Sequence, residues 1–324
     1  MSHPRAYQLG FGIAVSVFFL LVPFLLPEIG IHLAIEVLIY ALFAVSFNIL
    51  FGYCGMLPFG HAAFFGAGGY AVALILKNFP GTPLLLAFLL AALLALGIGA
   101  FIGFFCVRLS GAYFSLISIA SQMFLFAVAL KWRSVTSGDD GMTFARPELH
   151  LPILGEISMR GVVNIYYFTL TVVAVAILVC YLFLKTPLGN SFVSIREQER
   201  RASFLGYNVY LTKLAAFSAS SILAGVAGGL FAFFQAFVGT SFIDLNMSMS
   251  VVVMTVIGGK AYFLGPVLGS AFYIVFQDWM SSLTNYWMIV VGITFIVIVL
   301  YAEGGLISLL KNERVRLWAS RLNK

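Results

Sequence analysis

The sequence predicts an all-α, polytopic integral membrane protein, and three observations predict it. Hydrophobic residues make up 62% of the 324 and charged residues only 9%, where a soluble domain carries about 25% charged residues. So few charges cannot cover a soluble surface. Apolar runs of membrane-spanning length recur along the whole chain, and its 31 glycines suit helices that pack closely in lipid, because small side chains let backbones approach.

A spanning helix needs about 20 apolar residues. Candidates lie at 11–27, 33–51, 61–76, 84–107, 112–130, 162–184, 214–238, 248–259, 265–283 and 286–302. The eighth is too short to cross alone and reads as broken or re-entrant. Irregular backbone at that depth is tolerated only when it is buried in protein or lines a cavity. Arg5 followed by the run Phe11 to Leu26 looks like a signal peptide, but the chain continues Leu26-Pro27-Glu28 with no small-residue cleavage site, so a retained first helix is expected.

Orientation follows from the basic residues. With the N-terminus inside, the inner loops hold 13 of the 18 Lys and Arg residues, including Arg196, Arg200, Arg201 and the C-terminal group from Lys311 onward. The positive-inside rule favours that arrangement, with both termini cytoplasmic. Two loops stand out: an outer one near 131–161 and an inner, basic one near 185–213. No Ser/Gly linker marks a second soluble domain, so residues 1–324 read as one membrane domain.

Signatures of catalysis are missing. The Gly259-Lys260 pair is followed by Ala261, so no phosphate-binding P-loop is present. His3, His32, His61 and His150 lack metal-ligand spacing, and no G-x-S-x-G elbow occurs. Neither a metal nor another cofactor is expected. Cys54, Cys106 and Cys180 are odd in number and lie in or beside apolar segments, which argues for core residues rather than disulfides. The net charge of +6 gathers at helix ends as topology requires, so nucleic acid is not an expected partner. The intramembrane ionisable groups Glu36, His61, Asp278 and Glu303 all sit near span ends, where the interface hydrates them. A self-powered carrier would normally place an acid at mid-membrane, so energy is expected to come from a partner.

Gly52-Tyr53-Cys54-Gly55-Met56-Leu57-Pro58-Phe59-Gly60-His61 interrupts the apolar pattern between the second and third spans. Gly and Pro there fit either an ordinary tight turn or unwound backbone offered to a solute. Asn48 and Gln122 lie inside spans and fit either a solute or a neighbouring helix. Gly60 to Gly66 also resembles Gly259 to Gly265, which fits either a parallel internal repeat or coincidence among abundant Gly and Phe.

The inner stretch 190–206 is the most informative. Phe192, Ile195, Ala202 and Leu205 share one face at helical spacing, with Arg196, Glu197 and Arg200 elsewhere. Glu197 and Arg201 form a favourable i,i+4 pair, and Gly206 is placed to stop the helix. One amphipathic helix is expected, resting on lipid headgroups or docked on a cytoplasmic partner.

Three stretches resemble the LivM-type permeases of branched-chain amino-acid ABC importers, across roughly residues 33 to 311. Residues 52–66 (GYCGMLPFGHAAFFG) look like the family's G-x-x-G-x-x-S-x-G-H-A-x-F-x-G signature. Residues 195–209 (IREQERRASFLGYNV) look like its I-R-E-N-E-x-x-A-x-x-x-G-x-N loop. Residues 253–259 (VMTVIGG) with 265–269 (GPVLG) look like its M-x-x-x-G-G…G-P-x-x-G segment. Any one is weak; three in order are specific. Pro58 replaces the usual Ser, Thr136 to Gly141 alters the family's T-G-G-S-D-G, and Arg200 to Gly206 keeps only one Ala and the Gly of the wider E-A-A-x-x-x-G motif.

The resemblance implies a bacterial inner-membrane permease subunit paired with a related permease as a heterodimer. It also implies two cytoplasmic ATPase subunits and a periplasmic substrate-binding protein. The solute is then a branched-chain amino acid or a similar small polar molecule, such as another amino acid, urea, a short amide or an aromatic acid. Phe192, Ile195, Arg196, Glu197, Arg200, Arg201, Ala202, Leu205 and Gly206 are the expected coupling residues. Asn48, Gly52, Gly55, Gly60, His61, Phe64, Gly66, Gly258 and Gly259 are the expected pathway walls. Two rivals are a self-sufficient carrier or channel, which ion-dependent flux from this chain alone would favour, and a membrane enzyme, which needs a cluster of His or acids that the sequence does not contain. The charge bias carries a test of topology: single cysteines at Ser137 and Ser203 should react with impermeant reagents from opposite sides of the membrane, and reaction from one side would refute the ten-span arrangement.

Overall fold

The computed structural model describes residues 19–151, 155–301 and 304–307. Helix α1, Glu28–Asn48, runs on into a π-helical turn, Ile49–Cys54. There follow α2 (Ala62–Asn78), α3 (Leu84–Cys106), α4 (Ala112–Lys131) and α5 (Val162–Leu184). Two short helices come next, α6 (Pro187–Glu197) and α7 (Glu199–Phe204). The long α8 (Val209–Gln235), the short α9 (Leu245–Gly258), α10 (Gly265–Leu283) and α11 (Trp287–Tyr301) complete the bundle. The all-α class expected from composition is observed. Of the expected first span, 19–25 is helical and 11–18 lies outside the described residues.

Helix α1 begins five residues before the expected start of the second span. Pro27 sits at its N-cap with φ −66°, and a missing N–H costs nothing where the N–H would be unpaired anyway. Glu28 in the first turn complements the helix dipole. At 14 residues, α9 is about 21 Å long, short of the roughly 30 Å hydrocarbon layer, which agrees with a span that is broken. A 3₁₀ turn, Thr240–Ile243, leads into it.

Helix α8 is the centre of the bundle, packed against α1, α2 and α3. Its crossing with α2 is backbone on backbone. A Cβ at Gly68 would overlap the Gly225 carbonyl, and one at Gly228 would overlap the Phe65 carbonyl. Around that seam, ring centroids lie 4.6 Å apart for Phe43–Phe65, 5.7 Å for Phe65–Phe231 and 5.0 Å for Phe231–Phe242. Such pairs add about 0.5–1.5 kcal/mol each beyond the area they bury. The outer faces of α3 and α11 carry exposed Leu89, Leu93, Phe101, Ile289, Ile293 and Ile296, as lipid contact requires.

Polar side chains tie the irregular segments down. The Gln122 amide donates to the Ile243 carbonyl at 2.7 Å, and its oxygen accepts from Ser248 Oγ at 2.9 Å. Ser248 in turn accepts from the Ala62 N–H at 2.9 Å. Gln122 therefore bonds neighbouring segments, one of the two roles left open for it. At the opposite end of the bundle from α6, strand β1 (Met142–Thr143) pairs antiparallel with a strand after α8, Phe237–Val238. Arg146 from the same loop donates from Nε to the Phe233 carbonyl at 3.0 Å and from its terminal nitrogen to Phe234. A cation on the last carbonyls of a helix also meets the negative end of its dipole. Burial lowers the Arg146 pKa from the usual guanidinium range, and those acceptors offset the desolvation.

Two serines of α4 hold the segment that links α1 to α2. Ser115 Oγ donates to the Leu57 carbonyl at 2.7 Å. Ser118 Oγ accepts from the Phe59 and Gly60 N–H groups at 3.1 and 3.3 Å and donates to the Ser115 carbonyl at 2.6 Å. Ser118→Ala leaves two N–H groups unpaired and should lower stability by about 2 kcal/mol; thermal melting in detergent checks this, and an unchanged midpoint would count against the clasp. Gly68→Val should be worse, by about 3 kcal/mol, because the atom it strikes is backbone; a normal yield of monodisperse protein would contradict the close crossing.

Candidate functional site

The basic end of the bundle brings together three separate stretches of sequence: the link after α1, the helix pair α6–α7, and the turn between α9 and α10. The π-helical turn Ile49–Cys54 closes α1 and stops at Gly55, whose φ of 76° penalises any β-carbon. π-turns inside α-helices occur frequently at functional sites. The Arg196 guanidinium donates to the Gly52 carbonyl, and the Arg196 stem lies against Gly55, where a Cβ would come within 2.8 Å of its Cγ. From the other side, the Lys260 ammonium stands 4.5 Å over the Phe51 ring. A Cβ at Gly52 would overlap both the Asn48 amide and the Lys260 carbonyl.

Asn48 is 2% exposed, and neither atom of its side-chain amide has a hydrogen-bond partner. Beside the link lies a cavity of about 720 Å³, lined among others by Cys54, Gly55, Phe59, Ser115, Arg196 and Lys213.

The expected pathway residues divide into two groups. Gly52 and Gly55 meet Arg196, Gly52 also abuts the Lys260 carbonyl, and Asn48 lies against Gly52. Gly60, His61, Phe64, Gly66 and Gly258 are packing positions inside this chain. Gly60 lies on the Ser118 carbonyl, Gly66 on Ile243 and Gly258 on the Gly265 carbonyl. Phe64 meets Phe217 edge-on at 5.3 Å. Gly259 has φ 107° and abuts Gly304. His61 is fully buried, stacked 5.3 Å from Phe43, with Nε2 2.9 Å from Ser46 Oγ. Ser46 Oγ also lies 2.7 Å from the Phe43 carbonyl, to which it donates; that arrangement favours an Nε2–H on His61 donating to Ser46, and Nδ1 has no partner.

The single amphipathic helix expected over 190–206 is corrected to two helices. The backbone breaks at Gln198, with φ −159° and ψ 101°. Nothing in Glu197-Gln198-Glu199 announces this, since neither Gly nor Pro is present. The break separates Glu197 from Arg201, so their expected i,i+4 geometry is lost. Glu199 pairs instead with buried Lys213 at 2.8 Å. The first helix also starts earlier than expected, at Pro187, with the Thr186 side chain accepting from the Gly189 N–H. Thr-Pro is an N-cap signal that the sequence reading passed over. The stop at Gly206 is as expected: φ is 88°, the Tyr207 N–H reaches the Ala202 carbonyl and the Gly206 N–H the Ser203 carbonyl, which is the Schellman pattern.

The break divides the expected docking face. Phe192, Ile195 and Ala202 are 0%, 4% and 2% exposed, buried against their own chain, while Phe204 and Leu205 are 90% and 71% exposed. Glu197, Arg200 and Arg201 are exposed. Phe204 was missed because it falls outside the helical stripe that the other four define.

At the far end, a cavity of about 530 Å³ is lined by Glu36, Tyr40, Asp244, Ser250, Tyr273 and Gln277, among others. Glu36 stood out in the sequence as an intramembrane acid. Asp244, Tyr273 and Gln277 did not, because α1, the start of α9 and α10 supply these groups without any local spacing.

Residues 30–299 match the family described as branched-chain amino acid transport system / permease component. The chain is 25% identical over 310 residues to the high-affinity branched-chain amino acid transport system permease protein LivM of Salmonella typhimurium and to that of Escherichia coli, covering 90% of this chain and 73% of each relative. It is 27% identical over 52% of either chain to the nucleoside ABC transporter permease protein NupC of Lactococcus lactis. No solved structure matches. With the match reaching from α1 into α11, the chain belongs to the branched-chain amino acid transport permease family and is a permease subunit of an ABC importer.

Proposed function

We propose that this chain forms half of the translocation pathway of an importer for amino-acid-like solutes, paired with a related permease as a heterodimer. Two ATPase subunits bind the basic end, a solute-binding protein delivers to the other, and both termini are cytoplasmic in a bacterial inner membrane. All of residues 1–324 act as one membrane domain. Transport is by alternating access driven by ATP hydrolysis in the partner subunits. Glu36 and Asp244 at the far cavity offer acceptors to a solute ammonium group, in keeping with the amino acids named for the LivM relatives.

The observation that carries this reading is the helix pair α6–α7. One side is buried against the membrane core and bonded to the broken end of α1. The other ends in Phe204 and Leu205, exposed at the end where Arg200 and Arg201 also stand. The coupling residues thus divide by role. Phe192, Ile195, Ala202 and Gly206 shape the pair, Phe204, Leu205, Glu197, Arg200 and Arg201 face the partner, and Arg196 bonds the pair to Gly52. Because Ala202 is buried within its own chain, a bulky residue there would disturb the subunit before it disturbed any docking.

Burying a Phe or Leu side chain is worth about 1.5–3 kcal/mol, and each 1.4 kcal/mol is tenfold in affinity. Phe204→Ser with Leu205→Ser should therefore weaken ATPase association at least about tenfold, while the permease is still recovered from the membrane at normal yield. Titration of purified ATPase subunits onto the reconstituted permease measures this. Unchanged affinity would rule out Phe204 and Leu205 as the contact.

A further inference from the structure

We infer that Arg196 is the strut by which the cytoplasmic helix pair moves the π-helical end of α1, so that it positions the pathway rather than touching solute or nucleotide. The inference rests on the ABC-coupling reading above. Arg196 sits in the last turn of α6, so any displacement of the pair by a partner displaces its side chain. Its guanidinium is bonded to the Gly52 carbonyl, midway along the π-turn, and its stem runs under Gly55, where that turn ends. A charge-assisted bond to a helix-terminal carbonyl is among the stronger polar contacts available to a protein, and a cation there is also favoured by the dipole.

The element that Arg196 grips has the marks of one of two arrangements. A π-turn is rare. The buried Asn48 amide beside it has no partner for either atom, and an unsatisfied buried amide is costly. Rewinding the turn would change which backbone groups Asn48 faces. The cavity of about 720 Å³ on the Cys54 side gives the turn room to move. On its other side, Gly52 abuts the Lys260 carbonyl and Phe51 lies under the Lys260 ammonium, so a shift of the turn would carry into the α9–α10 turn.

Native Cys54 is 3% exposed, ends the π-turn and lines the cavity, which makes it a reporter. The experiment uses the full chain with Cys106→Ala and Cys180→Ala, in proteoliposomes with its permease partner and ATPase subunits. A polar maleimide is the probe, with and without ATP plus orthovanadate, and no solute is needed. In the Arg196-containing complex, trapping should change the Cys54 reaction rate about tenfold, the scale of losing or gaining one charge-assisted bond. Arg196→Met keeps the stem and loses the donor, and Arg196→Gln has an amide that ends short of Gly52. Both should lose the nucleotide response while ATPase subunits stay bound and hydrolyse ATP; Arg196→Lys, with stem and one donor, should restore part of it. A full response in the Met or Gln variant would overturn the strut, and so would a nucleotide-insensitive Cys54 in the Arg196 complex. If no ATPase subunit binds the Arg196 complex, the coupling reading itself falls, and the strut with it.

Discussion

Backbone polar groups inside a bilayer have no water to pair with, and that constraint shapes the irregular stretches described within the bundle. At several of the breaks among the described residues, side chains from distant sequence supply the missing partners. Ser115 and Ser118 hold the link after α1, Gln122 and Ser248 hold the approach to α9 and the start of α2, and Arg146 covers the carbonyl end of α8. The polar residues of the interior are thus mostly structural mortar. The regular packing between them is done by small residues, as at the α2–α8 crossing, because lipid offers apolar side chains no reason to prefer one another over the acyl chains. Irregular backbone is held where it is paired, and beside the π-turn the buried Asn48 amide is among the side chains left without a partner.

Much of this fold was legible in the sequence because hydropathy is a local signal. The spans from 84 to 184 appear within a residue or two of where apolar runs put them, and Gly206 ends a helix as a residue tolerant of positive φ should. Boundaries set by single caps were harder. Pro27-Glu28 and Thr186-Pro187 are capping signals of a turn or less, and continuous hydrophobic patterns on either side hide them. The break at Gln198 left no trace in the local sequence; beyond it, Glu199 pairs with Lys213, 14 positions away.

The site was legible in its parts and not in its assembly. Gly52, Gly55 and Arg196 were each singled out from separate motifs, one group as pathway and the other as coupling. That they touch is a fact of three dimensions, across 144 positions of sequence. Asp244, Tyr273 and Gln277 share a cavity with Glu36 for the same reason and were passed over. His61, expected to be hydrated at a span end, is instead fully buried. Its ring packs among Phe43, Phe47 and Phe64 and bonds Ser46.

The exposed tip of α7 also bears on biogenesis. Under the orientation proposed above, a copy of this subunit inserted without companions would leave Phe204 and Leu205 bare to water beside Arg200 and Arg201. Contiguous apolar surface of that kind marks a polypeptide as unfinished, and chaperones and proteases act on such marks. In the assembly proposed above the ATPase subunit would cover the tip, so the two side chains proposed to dock a partner are also the ones that would expose an unassembled copy to that surveillance.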